Sequence, residues 1–285
     1  MTRNILIGLT YLVSPVLIAA PDIGEARSLY ERAEFQSSLR LLVPLPGKQG
    51  SEFLLIGQNY YMLEDYVKAQ EALSKAIGLE PANSMYHLWL GRTMGRRAET
   101  SSPFTAPRHA SKARQSFEKA VELDSKNIEA LADLFEYYLN APGFLGGGIE
   151  KAAALSIRIA ALNPAEGAYA RYRLADTGKQ YVEAEKEVRL ASQLAPEDVG
   201  RKIDVAKFLA RRGRLQESDT ILESAEKTAP GNPRLLIEHA RIYIDTHRRL
   251  EAARQMLREY MLASLTPDDP PRREAEELLR KISRT

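Results

Sequence analysis

Apolar and small residues recur at helical spacing through EFLLIGQNYYMLEDYVKAQEALSKAIGLEP, residues 52–81, with a single interruption near the middle. Phe53, Ile56, Gly57 and Tyr60 share one face of a first predicted helix; Ala69, Leu73 and Ala76 share one face of a second; Pro81 stands just past its end. The pattern predicts a helical hairpin. Gly57 and Ala69 are small where the two helices would cross, so the backbones can approach closely while Phe53, Tyr60 and Leu73 fill the space beside them. A large residue at Gly57 is expected to wedge the hairpin open.

The pattern repeats. Thirty-four residues beyond Gly57 lies Gly91, and YVKAQEALSKAIGLEP (66–81) matches YVEAEKEVRLASQLAP (181–196) at the Tyr, Val, Ala, Leu and Pro positions. The same frame runs through 112–124 with Ala113, 151–164 with Ala152 and Pro164, 181–196 with Ala184 and Pro196, 217–230 with Pro230, and 251–264 with Ala252. Pro196 to Pro230 and Ser218 to Ala252 are again 34 residues apart. Seven hairpins fit, the first (25–46) being degenerate. Residues 267–285 read as an added helix capped by Asp269 and begun by Pro270 and Pro271, which covers the last hairpin.

In period and in its order of large and small positions the chain resembles the tetratricopeptide repeat family. The resemblance covers nearly everything after the first 20 residues, and it implies an all-α, right-handed superhelical solenoid, spanning 21–266 and closed by the terminal helix. It also implies a non-catalytic scaffold whose concave groove takes an extended segment or a helix of another protein. APGFLGGG (141–148) together with LNPAEG (162–167) is further similar to a group of exported bacterial repeat proteins of unassigned role.

The repeat frame places Leu54, Gln58, Trp89, Arg92, Asp133, Glu136, Lys207, Arg211, Glu238 and Arg241 along that groove, with mixed charge and Trp89 as a possible aromatic anchor. Family members that grip chaperone tails use a Lys and an Asn on one first helix. Leu54 and Gln58 occupy those places here, so that carboxylate clamp is absent in its usual form.

Two hairpins carry insertions. Gly91 to Ala113 is ten residues longer than Gly57 to Ala69, and the expected loop, 96–112, is basic through Arg96, Arg97, Arg108 and Lys112, with Arg92 and Arg114 flanking it and Glu99 as the nearby acid. It is either a binding element or a solvated basic loop. The second insertion, 142–148, holds four glycines. Gly143 and Gly148 satisfy the glycines of a nucleotide loop, but Ile149 and Glu150 replace its Lys and Ser or Thr, and a predicted helix rather than a strand precedes it. A structural turn is the better reading. The alternative function is a ligand carrier or enzyme using both insertions as one pocket.

Lysine and arginine number 40 against 38 acidic residues, which leaves no field suited to nucleic acid. With no cysteine the chain has no thiolate chemistry or disulfide, and its four histidines lack metal-ligand spacing, so no metal or other cofactor is expected. Arg3 followed by an uncharged run, Ile5–Ala20, predicts an export signal at 1–20 and a periplasmic or secreted chain, with a retained anchor as the alternative.

Overall fold

The computed structural model describes residues 23–283, so the expected signal lies outside the described residues. Among them there are fifteen α-helices and no strand: α1 (Ile23–Glu31), α2 (Phe35–Leu42), α3 (Gly50–Met62), α4 (Tyr66–Leu79), α5 (Ser84–Thr100), α6 (Ala106–Leu123), α7 (Ile128–Asn140), α8 (Ile149–Leu162), α9 (Pro164–Thr177), α10 (Tyr181–Leu194), α11 (Val199–Arg211), α12 (Leu215–Thr228), α13 (Pro233–Asp245), α14 (Leu250–Leu262) and α15 (Arg272–Ile282). Consecutive pairs form seven hairpins, stacked into an all-α superhelix with α15 across its end.

The crossing points are as close as the small residues allow. A Cβ on Gly57 would lie 2.6 Å from the Leu73 side chain, and one on Gly91 2.5 Å from the Phe117 ring. Ala69, Ala76, Ala113, Ala152 and Ala184 are fully buried. Where serine replaces alanine, the hydroxyl is satisfied across the crossing: buried Ser38 donates to the Ala26 carbonyl at 2.7 Å, and buried Ser218 to the Ala206 carbonyl at 2.9 Å.

Five hairpin turns share one device. Ala33, Glu64, Lys179, Gly213 and His247 have left-handed φ values, and the next amide bonds back to a carbonyl five residues earlier, as in Asp65 to Tyr60 at 2.9 Å and Arg214 to Leu209 at 3.0 Å. First helices begin on side-chain caps at Asn83, Asn127, Asn163, Asp198 and Asn232. Pro81, Pro196 and Pro230 follow the second helices α4, α10 and α12, whereas Pro164 itself opens α9 with only Asn163 between it and α8.

Three expectations are corrected. The buried crossing residue of the seventh hairpin is Ala253, not the half-buried Ala252. The α13–α14 turn is one residue longer than its counterparts and takes a second left-handed residue, Arg249, so the frame slips by one. Asp269 does not cap the terminal helix, since prolines at 270 and 271 bar helical geometry from the residues before them. The helix starts at Arg272, and Asp269 instead accepts from the Thr266 amide at 2.8 Å. Nor is 96–112 a loop: its residues extend α5 to 17 and α6 to 18 residues, joined by the short turn 101–105. Helix-favouring Arg, Ala, Glu and Lys absorb the insertion, and Pro107 lies in the first turn of α6.

The superhelix curves far enough to meet itself. Arg273 of α15 donates to both carboxylate oxygens of Glu64, in the α3–α4 turn, at 2.6 and 2.7 Å. Ala33 packs against the apolar cluster of α13 to α15. The Tyr30 hydroxyl is pushed up to about 12, first by burial and then by the negative charge of Asp268. Because the chain has no cysteine, the closure is testable: Glu64→Cys with Arg273→Cys, treated with a short bismaleimide, is expected to give a fast-migrating internally crosslinked species in most molecules. Only singly capped or doubly capped linear protein would mean the ends stand apart in solution.

Candidate functional site

The first helices of the hairpins line the concave side, and their charged residues pair from one repeat to the next. Arg92 on α5 meets Asp133 at 2.5 Å and Glu129 at 3.0 Å on α7. Glu136 on α7 meets Arg173 on α9 at 2.5 Å, and Arg211 on α11 reaches back to Tyr172 and Asp176 on α9 at 2.8 and 2.9 Å. Lys207 on α11 meets Glu238 on α13 at 2.6 Å, and Arg241 joins Glu238 to Glu274 of α15. Candidate groove residues therefore form a ladder of neutralised pairs. Arg92, Arg96, Arg97 and Arg114 likewise do not share Glu99 alone: Arg96 takes Glu99 and the Tyr66 hydroxyl, Arg97 the Gln70 amide oxygen, and Arg114 takes Glu118. Sequence inspection did not pair Arg92 with Glu129 and Asp133, which lie on the next first helix, nor Arg114 with Glu118, one turn further along α6.

Burial raises the Asp133 carboxyl above its ordinary range despite the opposing charge of Arg92. Burial alone would lower Arg92, but the Asp133 and Glu129 carboxylates outweigh it and hold the guanidinium charged.

Trp89 stands edge-on to Tyr61, with ring centroids 5.4 Å apart, and the Arg92 guanidinium lies over its ring at 5.0 Å. Its indole nitrogen is buried without a hydrogen-bond partner. Leu54 packs beside the same core cluster, and Gln58 is half-buried. Next to Arg92 opens a mostly apolar cleft of about 550 Å³. Its walls include Tyr61, Arg96, Phe117, Asp133, Tyr137 and Leu145, so it is bordered by the extended tip of the third hairpin on one side and the glycine-rich turn on the other. The two insertions thus converge. Tyr61, Phe117 and Tyr137 escaped the sequence reading because their spacing is that of ordinary core positions, whereas Leu145 lies in the insertion 142–148 already singled out.

The glycine-rich turn spends its amides on itself. Residues Gly143–Leu145 form one 3-10 turn; Gly146 donates to Gly143 at 2.9 Å, Gly147 to Pro142 at 3.2 Å and Gly148 to Tyr138 at 2.9 Å. Gly146 is left-handed at φ 88°, and a Cβ on Gly147 would lie 1.8 Å from the Ala141 carbonyl oxygen. These glycines shape a tight turn, and three of their four amides are taken by carbonyls of the turn and of α7. Among the described residues no three of His, Asp and Glu are grouped to hold a metal. No described helix is long and apolar enough to cross a membrane.

Seven stacked hairpins with small crossing residues and a capped end define a tetratricopeptide-type solenoid. No family model and no curated protein matches the sequence significantly, but solved structures match its fold. The chain is similar to a tetratricopeptide repeat protein from Parabacteroides merdae, at 13% identity and TM-score 0.59, covering 92% of this chain and 97% of that one. It is similar to a thermophilic tetratricopeptide protein of Thermus thermophilus at 16% identity and TM-score 0.56, covering 66% of this chain and 96% of that one. It also matches a chain of the APC/C hetero-tetramer Cut9-Hcn1 at 14% identity and TM-score 0.50, over 95% of this chain and 50% of that one. The chain has the tetratricopeptide repeat fold.

Proposed function

We propose that the protein is a non-catalytic adaptor, exported to the periplasm or secreted, that holds an extended segment or helix of another protein in its concave groove. The observation that supports this reading is the open apolar cleft walled by Tyr61, Phe117, Tyr137 and Leu145 and rimmed by Arg92, Arg96, Asp133 and Glu136. An apolar side chain of the partner would enter the cleft, and the charged rim would orient its backbone and polar groups. The paired ions impose selectivity, since a charged partner must replace a partner already in place.

A photocrosslinking residue at Tyr137, in the cleft, is expected to give adducts with one envelope protein, while the same residue at Val182, 89% exposed on α10, gives none. Leu145→Arg, placed in the half-buried turn, is expected to lower the adduct yield from Tyr137 by about tenfold without changing the melting temperature. Equal adducts at both sites, or indifference to Leu145→Arg, would remove the cleft from the proposal.

The convergence of the insertions supports a second reading, a carrier for a small apolar ligand. Native mass spectrometry of the protein from its own host separates the two: a bound small molecule lost in Leu145→Arg would replace the adaptor reading.

A further inference from the structure

Two exposed aromatic rings project from neighbouring hairpin tips. Phe104, in the turn between α5 and α6, is 95% exposed, and Phe144, in the glycine-rich turn between α7 and α8, is 82% exposed. The tips lie on the same rim, since both turns join the two helices of adjacent hairpins and Arg114 of α6 packs against Gly146. Both rings stand on turns held firmly by their own hydrogen bonds: Thr105 and Ala106 donate to the Ser102 carbonyl, and Tyr137 donates to the Leu145 carbonyl at 2.9 Å. A folded chain leaves a phenylalanine this exposed at a cost in hydration, and two on one rim form a feature with a use.

Between α4, α5 and α6 lies a cavity of about 630 Å³ lined by Arg97, Arg108, His109, Lys112, Gln70 and Gln115, with no carboxylate in its wall; Arg108 stands four residues beyond Phe104. Arg97 donates only to the neutral Gln70 side chain, and Arg108 and Lys112 have no carboxylate partner among the described residues. This contrasts with the concave ladder, where each cation is matched. The cavity's groups supply charged donors for a phosphate-type anion and oppose it with nothing.

We infer that this rim is a membrane-contact surface: Phe104 and Phe144 enter the interface of an anionic bilayer while Arg97, Arg108 and Lys112 take the phosphates of its lipid headgroups. Protruding rings suit a bilayer better than a partner protein, because a protein must offer a recess shaped for each ring, whereas the headgroup region yields to both. Cations flanking such rings gain about fivefold each against a surface rich in anionic lipid, and the gain fades with salt. The inference is independent of the concave cleft, and a membrane-held rim leaves that groove free for a protein.

The test is co-sedimentation of the chain purified from its own host with vesicles of phosphatidylglycerol and phosphatidylcholine, compared with phosphatidylcholine alone. Binding to the anionic vesicles is expected to be at least tenfold stronger and to weaken at high salt. Arg97→Gln, Arg108→Gln and Lys112→Gln together are expected to reduce it about a hundredfold, and Phe104→Ser with Phe144→Ser about tenfold, with melting temperatures unchanged. Binding that ignores lipid charge or survives both sets of substitutions would assign membrane contact elsewhere and overturn the inference. So would saturation by inorganic pyrophosphate, or retention on polyglutamate, in a chain that itself stays in the supernatant when the vesicles are pelleted, since those results identify a free phosphate ligand or an acidic protein.

Discussion

Replacing Gly167 by alanine is expected to destabilise the protein by about 3 kcal/mol, at the upper end for an overpacked core, while Gly57→Ala costs about 1–2 kcal/mol. The two glycines occupy close crossings but face different neighbours. A Cβ on Gly57 meets the Leu73 side chain at 2.6 Å, and a leucine can change rotamer. A Cβ on Gly167 meets the Cα and Cβ of Ala160 at 2.3 Å and its amide nitrogen at 2.9 Å. Backbone of α8 cannot step aside alone, because only Asn163 separates α8 from α9, and its side chain caps α9 through the amides of Ala165 and Glu166. The strain therefore falls on the junction between hairpins four and five. In a stacked array, where each unit is stabilised by its neighbours, a weakened junction divides the cooperative unit. Urea unfolding followed by circular dichroism is expected to show a single transition for the native chain and two for Gly167→Ala. Equal losses for the two alanine variants would refute the distinction between backbone and side-chain crowding.

Acidification is expected to destabilise the C-terminal hairpins through His239. This residue is 6% exposed on α13, its ring lies 4.4 Å from that of Tyr243, and its Nε2 is buried without a partner. Burial, opposed by the Asp219 carboxylate and aided by Arg249 and Arg248, lowers its pKa from 6.5 to about 4. Glu223 and Glu226 of α12 and Glu259 of α14 line the cavity next to it. Asp219 itself is held by both terminal nitrogens of Arg248 at 2.9 Å and is not free to follow the imidazole. The sign follows from proton binding. Between pH 6.5 and 4 the unfolded chain takes up a proton that the folded chain refuses, so stability falls as pH falls through that window and is unaffected above it. The full difference is about 3 kcal/mol, of which most is lost by pH 4.5. His239→Phe keeps an aromatic ring against Tyr243 and cannot titrate. Denaturant midpoints measured at pH 7 and pH 4.5 are expected to fall more steeply for the native chain than for the variant. Parallel losses in the two proteins would show that the carboxylates alone drive acid unfolding.

Much of the architecture is local and was readable for that reason. A hairpin is closed by residues within about 34 positions of one another, and its crossing depends on small side chains such as Gly57, Ala69, Gly91 and Ala184, whose periodic recurrence survives divergence of everything between them. The Asn and Asp caps at 83, 127, 163, 198 and 232 are a second local signal, since a side chain that bonds amides two or three residues on needs no distant partner. The one-residue slip at Ala253 and the helical extension of 96–112 were not legible, because insertion length alone does not say whether extra residues loop out or wind on.

What the sequence determined by itself was thus the repeat: helix, turn, helix, and the places where two backbones must touch. Only the tertiary structure decided which charges are answered and which are left bare. Arg92 is matched by Asp133 on the next first helix, while Arg108 and Lys112 face a cavity without carboxylates. Only it joined Glu64 to Arg273, which are 209 residues apart. The physical reason is that electrostatic pairing and ring closure depend on the small rotation between successive hairpins, and that rotation accumulates over the whole stack and is encoded at no single position.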